Sequence, residues 1–493
     1  MADRTDQGTG KSVAVSSNIW GLVGAVAFML VVYVLPTPAP MERNGEMIGL
    51  TVNGKACLAV LAFAVTLWVT EALPFAVTSL FVVLLIPAFG IADYATVVAA
   101  GFGNPIITFF IGVLILSSGF ARSGLGTRLV LNVLQVFGTR TDRVLLGFLV
   151  VGAMLSMWIT DMAVAAILLP LGVGILRDAG LEPRKSNFGR ALMIACAYGP
   201  LIGGIATPAG TGANPIAISY LRELGGLEIS FIRWMTLGVP AALMMLPLGW
   251  IVLLKIFPPE MKELPLAEGE VTRKLLELGR ASPGEVKTLV IFAATITLWV
   301  ATPLLSTFTN GVVNPPIQAV ALLGGLSLFL PGINVLSWRV AQRDVDWGGV
   351  LLIVAGLSLG LMIFNTGAAR WVAHVLLGNI GLVPALLLPF VVVIGVALLH
   401  LLFSSNTVTG SIIIPILIAL AQDLGIDPWA IAAPAAFTSS LAFVLVTESP
   451  TNVIPYAAGY FSVRDMAKVG VWMTLVAAMC VTVSIVVVGF IFP

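Results

Sequence analysis

Positions without Asp, Glu, Lys or Arg are gathered along this chain into long intervals: residues 12–41, 72–92, 94–121, 191–221, 235–254, 288–338, 347–369 and 469–493 contain none. One ionised group at the centre of a bilayer costs roughly 2.5–3.5 kcal/mol on insertion scales, and a span needs about 20 residues, so each interval reads as membrane. The interval 288–338 is long enough for two helices. Residues 144–176 and 428–463 carry a single charge each, and 371–422 carries only His374 and His400. The pattern predicts an all-α membrane protein of about 11 spanning helices, with some segments that enter the bilayer without crossing it.

Composition agrees. At 493 residues, 59% hydrophobic and 10% charged, with mean hydropathy +1.05, the chain cannot cover a water-soluble globule with an ordinary charged surface. A net charge of +1 and the lack of any run of more than two basic residues exclude a nucleic-acid binder. Cys57, Cys196 and Cys480 lie in separate apolar stretches and match no metal or redox spacing. Residues 1–18 are polar and lead into the first helix without a cleavage site, so they read as a soluble lead, not a signal peptide.

Basic residues cluster at Arg177, Arg184, Lys185 and Arg190, and again at Lys255, Lys262, Arg273, Lys274, Arg280 and Lys287. Both connections, with the N-terminus, are therefore expected in the cytoplasm of a multi-pass protein of the bacterial inner membrane. Residues 258–286, with Pro258, Pro259, Pro265 and Pro283 around a charged helical stretch from Gly269 to Arg280, read as a cytoplasmic linker. It separates a first membrane half, 19–257, from a second, 287–493.

The halves echo each other. SMWITDMAVAAILLPL at 156–171 matches LLFSSNTVTGSIIIPI at 401–416, LILSSGFARSGLG at 114–126 matches LSLGLMIFNTGAA at 357–369 with Gly124 on Gly367, and TPAGTGAN at 207–214 matches TESPTN at 447–452 with Asn214 on Asn452. The three echoes run in one order at nearly one offset, as in transporters built from duplicated units. In lipid every backbone N–H and C=O must be paired, so irregular chain at membrane depth survives only around a cavity or ligand. The runs ATPAGTGANP at 206–215 and VTESPTNVIP at 446–455 break helices inside apolar intervals. Broken helices present N–H groups to anions and carbonyls to cations, and Thr160, Ser405, Asn406 and Thr407 add neutral hydrogen-bonding groups. The expected ligand is a small anion, with a cation beside it.

Ser405-Asn406-Thr407, followed nine residues after the Asn by Pro415 and echoed in the other half, resembles the signature of the divalent anion/sodium symporter family. Glu71-Ala72-Leu73-Pro74, Phe102-Gly103-Asn104-Pro105, and Gly210-Thr211 with Asn214 resemble further family landmarks in order. The resemblance spans nearly the whole chain. It implies two inverted repeats, each with a re-entrant hairpin (about 144–176 and about 388–420) and a broken helix (about 191–221 and about 430–460). A scaffold part would mediate homodimerisation and a mobile transport part would work as an elevator. Members carry dicarboxylates, citrate or sulfate with sodium, and some exchange them. Carried over position by position, the family's site implies substrate binding by Asp161, Thr211, Asn406, Thr407, Ser449 and Pro450. It implies a first sodium at Ser156, Thr160, Asp161 and Gly210, and a second at Ser405, Asn406 and Glu448.

The sequence departs from the family at the first hairpin, where Thr160-Asp161-Met162 stands for Ser-Asn-Thr. It departs at the second where Leu401 replaces a hydroxyl and Glu448 a small residue. A carboxylate at low dielectric holds a cation or takes a proton. Asp161 is therefore expected to bind Na⁺ or titrate during transport, with an N-cap role compatible, and Met162 removes a hydroxyl from the substrate wall. Glu71 reads as a buried structural acid, His400 as an interior histidine or proton relay, His374 as facing a headgroup or loop, and Arg122 and Arg128 as snorkelling side chains.

Three classes follow: a cation-coupled (Na⁺ or H⁺) transporter of small dianions, with C4-dicarboxylate first and sulfate, sulfonate or exchange as alternatives; a Na⁺/H⁺ antiporter; and an intramembrane enzyme. The last is disfavoured by the lack of HExxH or GxSxG. No nucleic-acid partner and no cofactor beyond the coupling ion is expected.

Overall fold

The structure, a computed structural model, describes residues 19–43, 46–264, 267–378 and 380–491. The expected soluble lead at 1–18 and residues 265–266 of the linker lie outside the described residues. The first half runs α1 (Ile19–Val34), paired strands β1 (Met41–Arg43) and β2 (Glu46–Ile48), α2 (Val52–Thr70), α3 (Phe75–Ala88), α4 (Tyr94–Gly101), α5 (Pro105–Ser123) and α6 (Leu125–Phe137). It continues through α7 (Thr141–Ser156), α8 (Asp161–Asp178), α9 (Asn187–Gly204), α10 (Ala213–Glu223) and α11 (Phe231–Ile256). The charged stretch of the linker is a helix, α12 (Ala267–Leu278). After it come α13 (Pro283–Phe308), α14 (Ile317–Ser327), α15 (Trp338–Asp344), α16 (Trp347–Asn365) and α17 (Ala368–Leu377). The chain closes with α18 (Leu388–His400), α19 (Asn406–Asp423), α20 (Pro428–Thr438), α21 (Pro450–Tyr456) and α22 (Val463–Ile491).

Helix starts follow short polar side chains that accept the orphan N–H groups of the first turn. Ser186 caps α9, Ser230 caps α11, Ser405 caps α19, and Ser282 with Glu285 closes a full capping box on α13. The aligned glycines Gly124 and Gly367 are both left-handed, at φ 85° and 76°, where a side chain would be strained. Each turns a long apolar helix, α5 or α16, into a shorter amphipathic one, α6 or α17.

Seven helical stretches among the described residues are long and apolar enough to cross a bilayer: Val52–Thr70, Tyr94–Ser123, Phe231–Ile256, Pro283–Phe308, Trp347–Asn365, Asn406–Asp423 and Val463–Val488. Further apolar helices, α1, α3 and α14 among them, are too short to qualify alone. Fewer stretches qualify than the charge pattern predicts because interruptions divide the apolar intervals. Residues 205–212 split 191–221 into α9 and α10, and residues 439–449 separate α20 from α21.

The halves share one continuous apolar core. Small residues bring helices into backbone contact, the packing that serves where lipid offers no hydrophobic drive. A Cβ on Gly203 of α9 would lie 2.1 Å from the Ala153 carbonyl oxygen of α7, and one on Gly199 would lie 2.8 Å from that of Leu149. Across the halves, the Tyr220 hydroxyl donates to Gly356 O at 2.6 Å, tying α10 to α16.

Several charged residues differ from their sequence-based expectations. Glu71 is exposed in a left-handed turn (φ 49°) that ends α2, not buried. His374 is buried, with Nε2 2.9 Å from Asp423, which also pairs with Arg370; this joins α17 to the end of α19. Arg122 does not snorkel: it makes two 2.7 Å contacts to Asp344, which also accepts from Ser118. Arg128 grips Glu285 through two nitrogens and donates to carbonyls at 278–280 of the linker. In each case the guanidinium or imidazole found a carboxylate distant in sequence, which sequence spacing does not reveal.

Candidate functional site

α7 and α8 form a helical hairpin whose tip is residues 157–160, and α18 and α19 form another with its tip at 401–405. The second helix of each is 18 residues long and carries an internal proline, Pro170 or Pro415, at the same place. Their first helical residues are Asp161 and Asn406, which lie 245 apart in sequence and meet in space: Asn406 Nδ2 donates to Asp161 Oδ2 at 3.4 Å. Beside them stand the N-termini of α10, preceded by Thr211 and Gly212, and α21, preceded by Ser449.

These four helix starts surround a recess of 390 Å³ lined by Thr160, Asp161, Met162, Thr211, Gly212, Ser404, Ser405, Asn406, Thr407, Ser449, Pro450 and Thr451. The facing wall is supplied by Pro74 and Phe75 of the α2–α3 region, Phe110 and Leu114 of α5, and Asp346, Gly349 and Leu352 at the start of α16. Among the described residues, no Lys, Arg or His lines it. Converging helix N-termini offer positive dipole ends to an anion without any basic side chain, although Asp161 N and Met162 N of α8 and Thr451 N of α21 already have partners. The first hairpin offsets part of that potential. Asp161 is 8% exposed, and two like charges 4 Å apart repel by about 4 kcal/mol at an effective dielectric near 20.

Every residue the sequence assigns to substrate lines this recess, as do Thr160 and Ser405. Ser156, Gly210 and Glu448 do not line it. Ser156 and Gly210 lie behind the first tip, where a Cβ on Gly210 would be 2.4 Å from Gly204 O and 2.6 Å from Ser156 O. This brings two carbonyls together, of which Gly204 O accepts from Asn214 Nδ2, and the buried Ser156 Oγ has no hydrogen-bond partner. Glu448 is turned into its own loop and accepts from the backbone N–H groups of Val444 at 3.2 Å and Leu445 at 2.9 Å. Asp161 is the first helical residue, not the N-cap, which is Thr160; its Oδ1 accepts from Met162 N at 2.9 Å, and its own N–H donates to Gly210 O at 3.3 Å. His400 is buried beside the backbone of Thr438 and Glu448.

Residues on the facing wall, Phe110, Leu114 and Asp346, carry no motif, and sequence reading passed over them. Asp346 was detectable only as an N-cap, since it accepts from Gly349 N. A second cavity of 480 Å³ shares Leu114, Thr160, Met162 and Asp346 with the recess and extends along α5 to the Arg122–Asp344 pair. A larger one, 550 Å³, at the opposite end of α5 by Asn104, Ser219 and Arg222, includes no hairpin residue.

A helical membrane protein in which two hairpin tips and two interrupted helices enclose one polar recess has the build of a secondary transporter. The chain belongs to the sodium:sulfate symporter family: residues 16–491 match the model of its transmembrane region. Among relatives, it is 34% identical to the sodium-dependent dicarboxylate transporter SdcS of Staphylococcus saprophyticus, over 98% of this chain and 93% of that protein. It is 32% identical to SdcS of Staphylococcus aureus, over 90% and 86%. Among solved structures its fold is similar to that of the YdaH transporter of Alcanivorax borkumensis (TM-score 0.55, 14% identity, 96% of this chain and 98% of that one). It is also similar to MtrF of Neisseria gonorrhoeae (TM-score 0.57, 13% identity, 94% of each).

Proposed function

We propose that this protein is a secondary active transporter that moves a small dicarboxylate across the membrane with a coupling cation, Na⁺ first and H⁺ as the alternative. The observation that carries the reading is the meeting of Asp161 and Asn406, residues from opposite halves, among four helix N-termini. The names of the SdcS relatives support both cargo and ion.

Substrate is assigned to Thr211, Asn406, Thr407, Ser449 and Pro450 with Asp161 at the floor. A first cation is assigned to the oxygens of Ser156, Thr160 and Gly210, and a second to Ser405 and Asn406, whose Oδ1 is buried without a partner. Both sets consist of neutral oxygens, the donors that suit a hard monovalent cation. Glu448 would reach the second site only by giving up its backbone partners. The matched turns at Gly124 and Gly367 and the matched hairpins support two inverted repeats, with the hairpins and broken helices as the moving part of an elevator in each subunit of a homodimer.

The test is uptake of labelled succinate by the purified full chain in liposomes under imposed Na⁺ or H⁺ gradients. Uptake should rise at least tenfold with an inward Na⁺ gradient and fall at least tenfold in Asn406→Ala. Uptake indifferent to both gradients, or to Asn406→Ala, would refute the assignment.

A further inference from the structure

The two hairpin tips that close the recess are chemically unlike, and the difference bears on the shape of the cargo. The second tip presents Ser405-Asn406-Thr407, all able to donate or to accept. The first presents Thr160-Asp161-Met162, a fixed acceptor followed by a thioether that is 38% exposed. Acceptors therefore accumulate on one side. Asp161 Oδ2 is turned across the recess toward Asn406, and Asn406 Oδ1, on a side chain only 7% exposed, has no partner at all. A buried acceptor without a donor is costly, and the second cation would supply that oxygen's partner.

The carboxylate of Asp161 is also not directed at the oxygen cluster behind the tip. Its backbone N–H, not its side chain, meets Gly210, and Ser156 Oγ remains without a hydrogen bond. Those oxygens can surround a cation without it. Because no Lys, Arg or His among the described residues lines the recess, an unsubstituted dianion lying against Asp161 would face a like charge with no fixed cation between them.

Resting on the dicarboxylate reading above, we infer that the cargo is an amino-substituted dicarboxylate. Its carboxylates sit at the N-termini of α10 and α19, and its ammonium donates to the Asp161 carboxylate that lines the recess. An ammonium supplies three donors and one positive charge, which neutralises the carboxylate in one contact. Asp161 is thereby the residue that sets specificity between amino and plain diacids, and Met162 withholds the hydroxyl that would hold a second carboxylate at that end.

The experiment compares two acids of one carbon skeleton, succinate and 2-aminosuccinate (aspartate), in liposomes containing the full chain, each as labelled substrate and as unlabelled competitor under one Na⁺ gradient. The wild-type protein should prefer aspartate at least tenfold in half-inhibiting concentration, a measurement that needs no variant. Asp161→Asn should lower that preference at least tenfold, mainly by weakening aspartate, while the half-saturating Na⁺ concentration stays within twofold. Met162→Thr should improve succinate alone. Wild-type preference for succinate overturns the inference and leaves the dicarboxylate reading intact. A change in Na⁺ dependence in Asp161→Asn with unchanged substrate preference also overturns it and assigns the carboxylate to the cation. Uptake of neither acid removes the dicarboxylate reading and this inference with it.

Discussion

Asn214 and Asn452 perform the same task in opposite halves: each donates both amide hydrogens to carbonyls ten and seven residues earlier in its own interrupted helix. Asn214 Nδ2 reaches Gly204 O at 2.8 Å and Thr207 O at 2.7 Å; Asn452 Nδ2 reaches Ala442 O at 2.7 Å and Leu445 O at 3.1 Å. Both are fully buried, and both leave Oδ1 without a partner. The irregular loops that flank the recess are held by one side chain each.

Removing that brace should destabilise either loop. Asn452→Ala strands the buried carbonyl of Ala442, at about 1–3 kcal/mol, and the half-buried one of Leu445, so the midpoint of thermal unfolding in detergent should fall by several degrees. Asn214→Ala should do the same, while alanine at the exposed Asn365 should leave the midpoint unchanged.

The backbone contact of α9 with α7 at Gly203 should tolerate no side chain. Gly203→Ala would drive a methyl into the backbone of Ala153, and overpacking of this kind typically costs about 1–3 kcal/mol. Lower yield of folded protein and a lower unfolding midpoint are expected. Gly395→Ala, where a Cβ meets nothing within 4 Å, is the control.

The Arg122–Asp344 pair at the end of the second cavity should give a contribution to stability that is lost at acid pH. Hydrogen bonds from Arg122, then from Ser118, hold Asp344 down at about 2, below the ordinary carboxylate value of 3.8. A group with a depressed pKa stabilises fully above its unfolded value, so the contribution is complete above about pH 4 and disappears as pH falls toward 2. Asp344→Asn should remove that part of the acid limb in unfolding measured between pH 2 and 6. The loss at neutral pH should be about 1 kcal/mol or less, since Arg122 is half exposed.

Arg128 should be needed to dock the linker. Its partner Glu285 is 5% exposed at the side chain, and removal of one member of a buried pair costs about 3–5 kcal/mol. Arg128→Ala should speed proteolysis between residues 267 and 283, while a control in the exposed Lys185–Glu182 pair should not.

Local residue patterns were enough to establish the solvent of this protein and the ends of its elements. Charge-free intervals are legible because a membrane tolerates few ions. Gly124, Gly367, Ser186 and Ser405 act within a few residues of themselves, and the proline-marked hairpins and the Asn214 and Asn452 breaks are likewise local in cause. The residues of the recess were legible because both halves repeat one local pattern. Where each side chain points emerged only from the packed fold. Whether Asp161 faces a cation cluster or Asn406, whether Glu448 faces a ligand or its own loop, and whether Arg122 finds lipid or Asp344 depends on partners up to 245 residues away. Those contacts arise from the packing of whole helices, and neither residue of such a pair carries any record of the other in its neighbouring sequence.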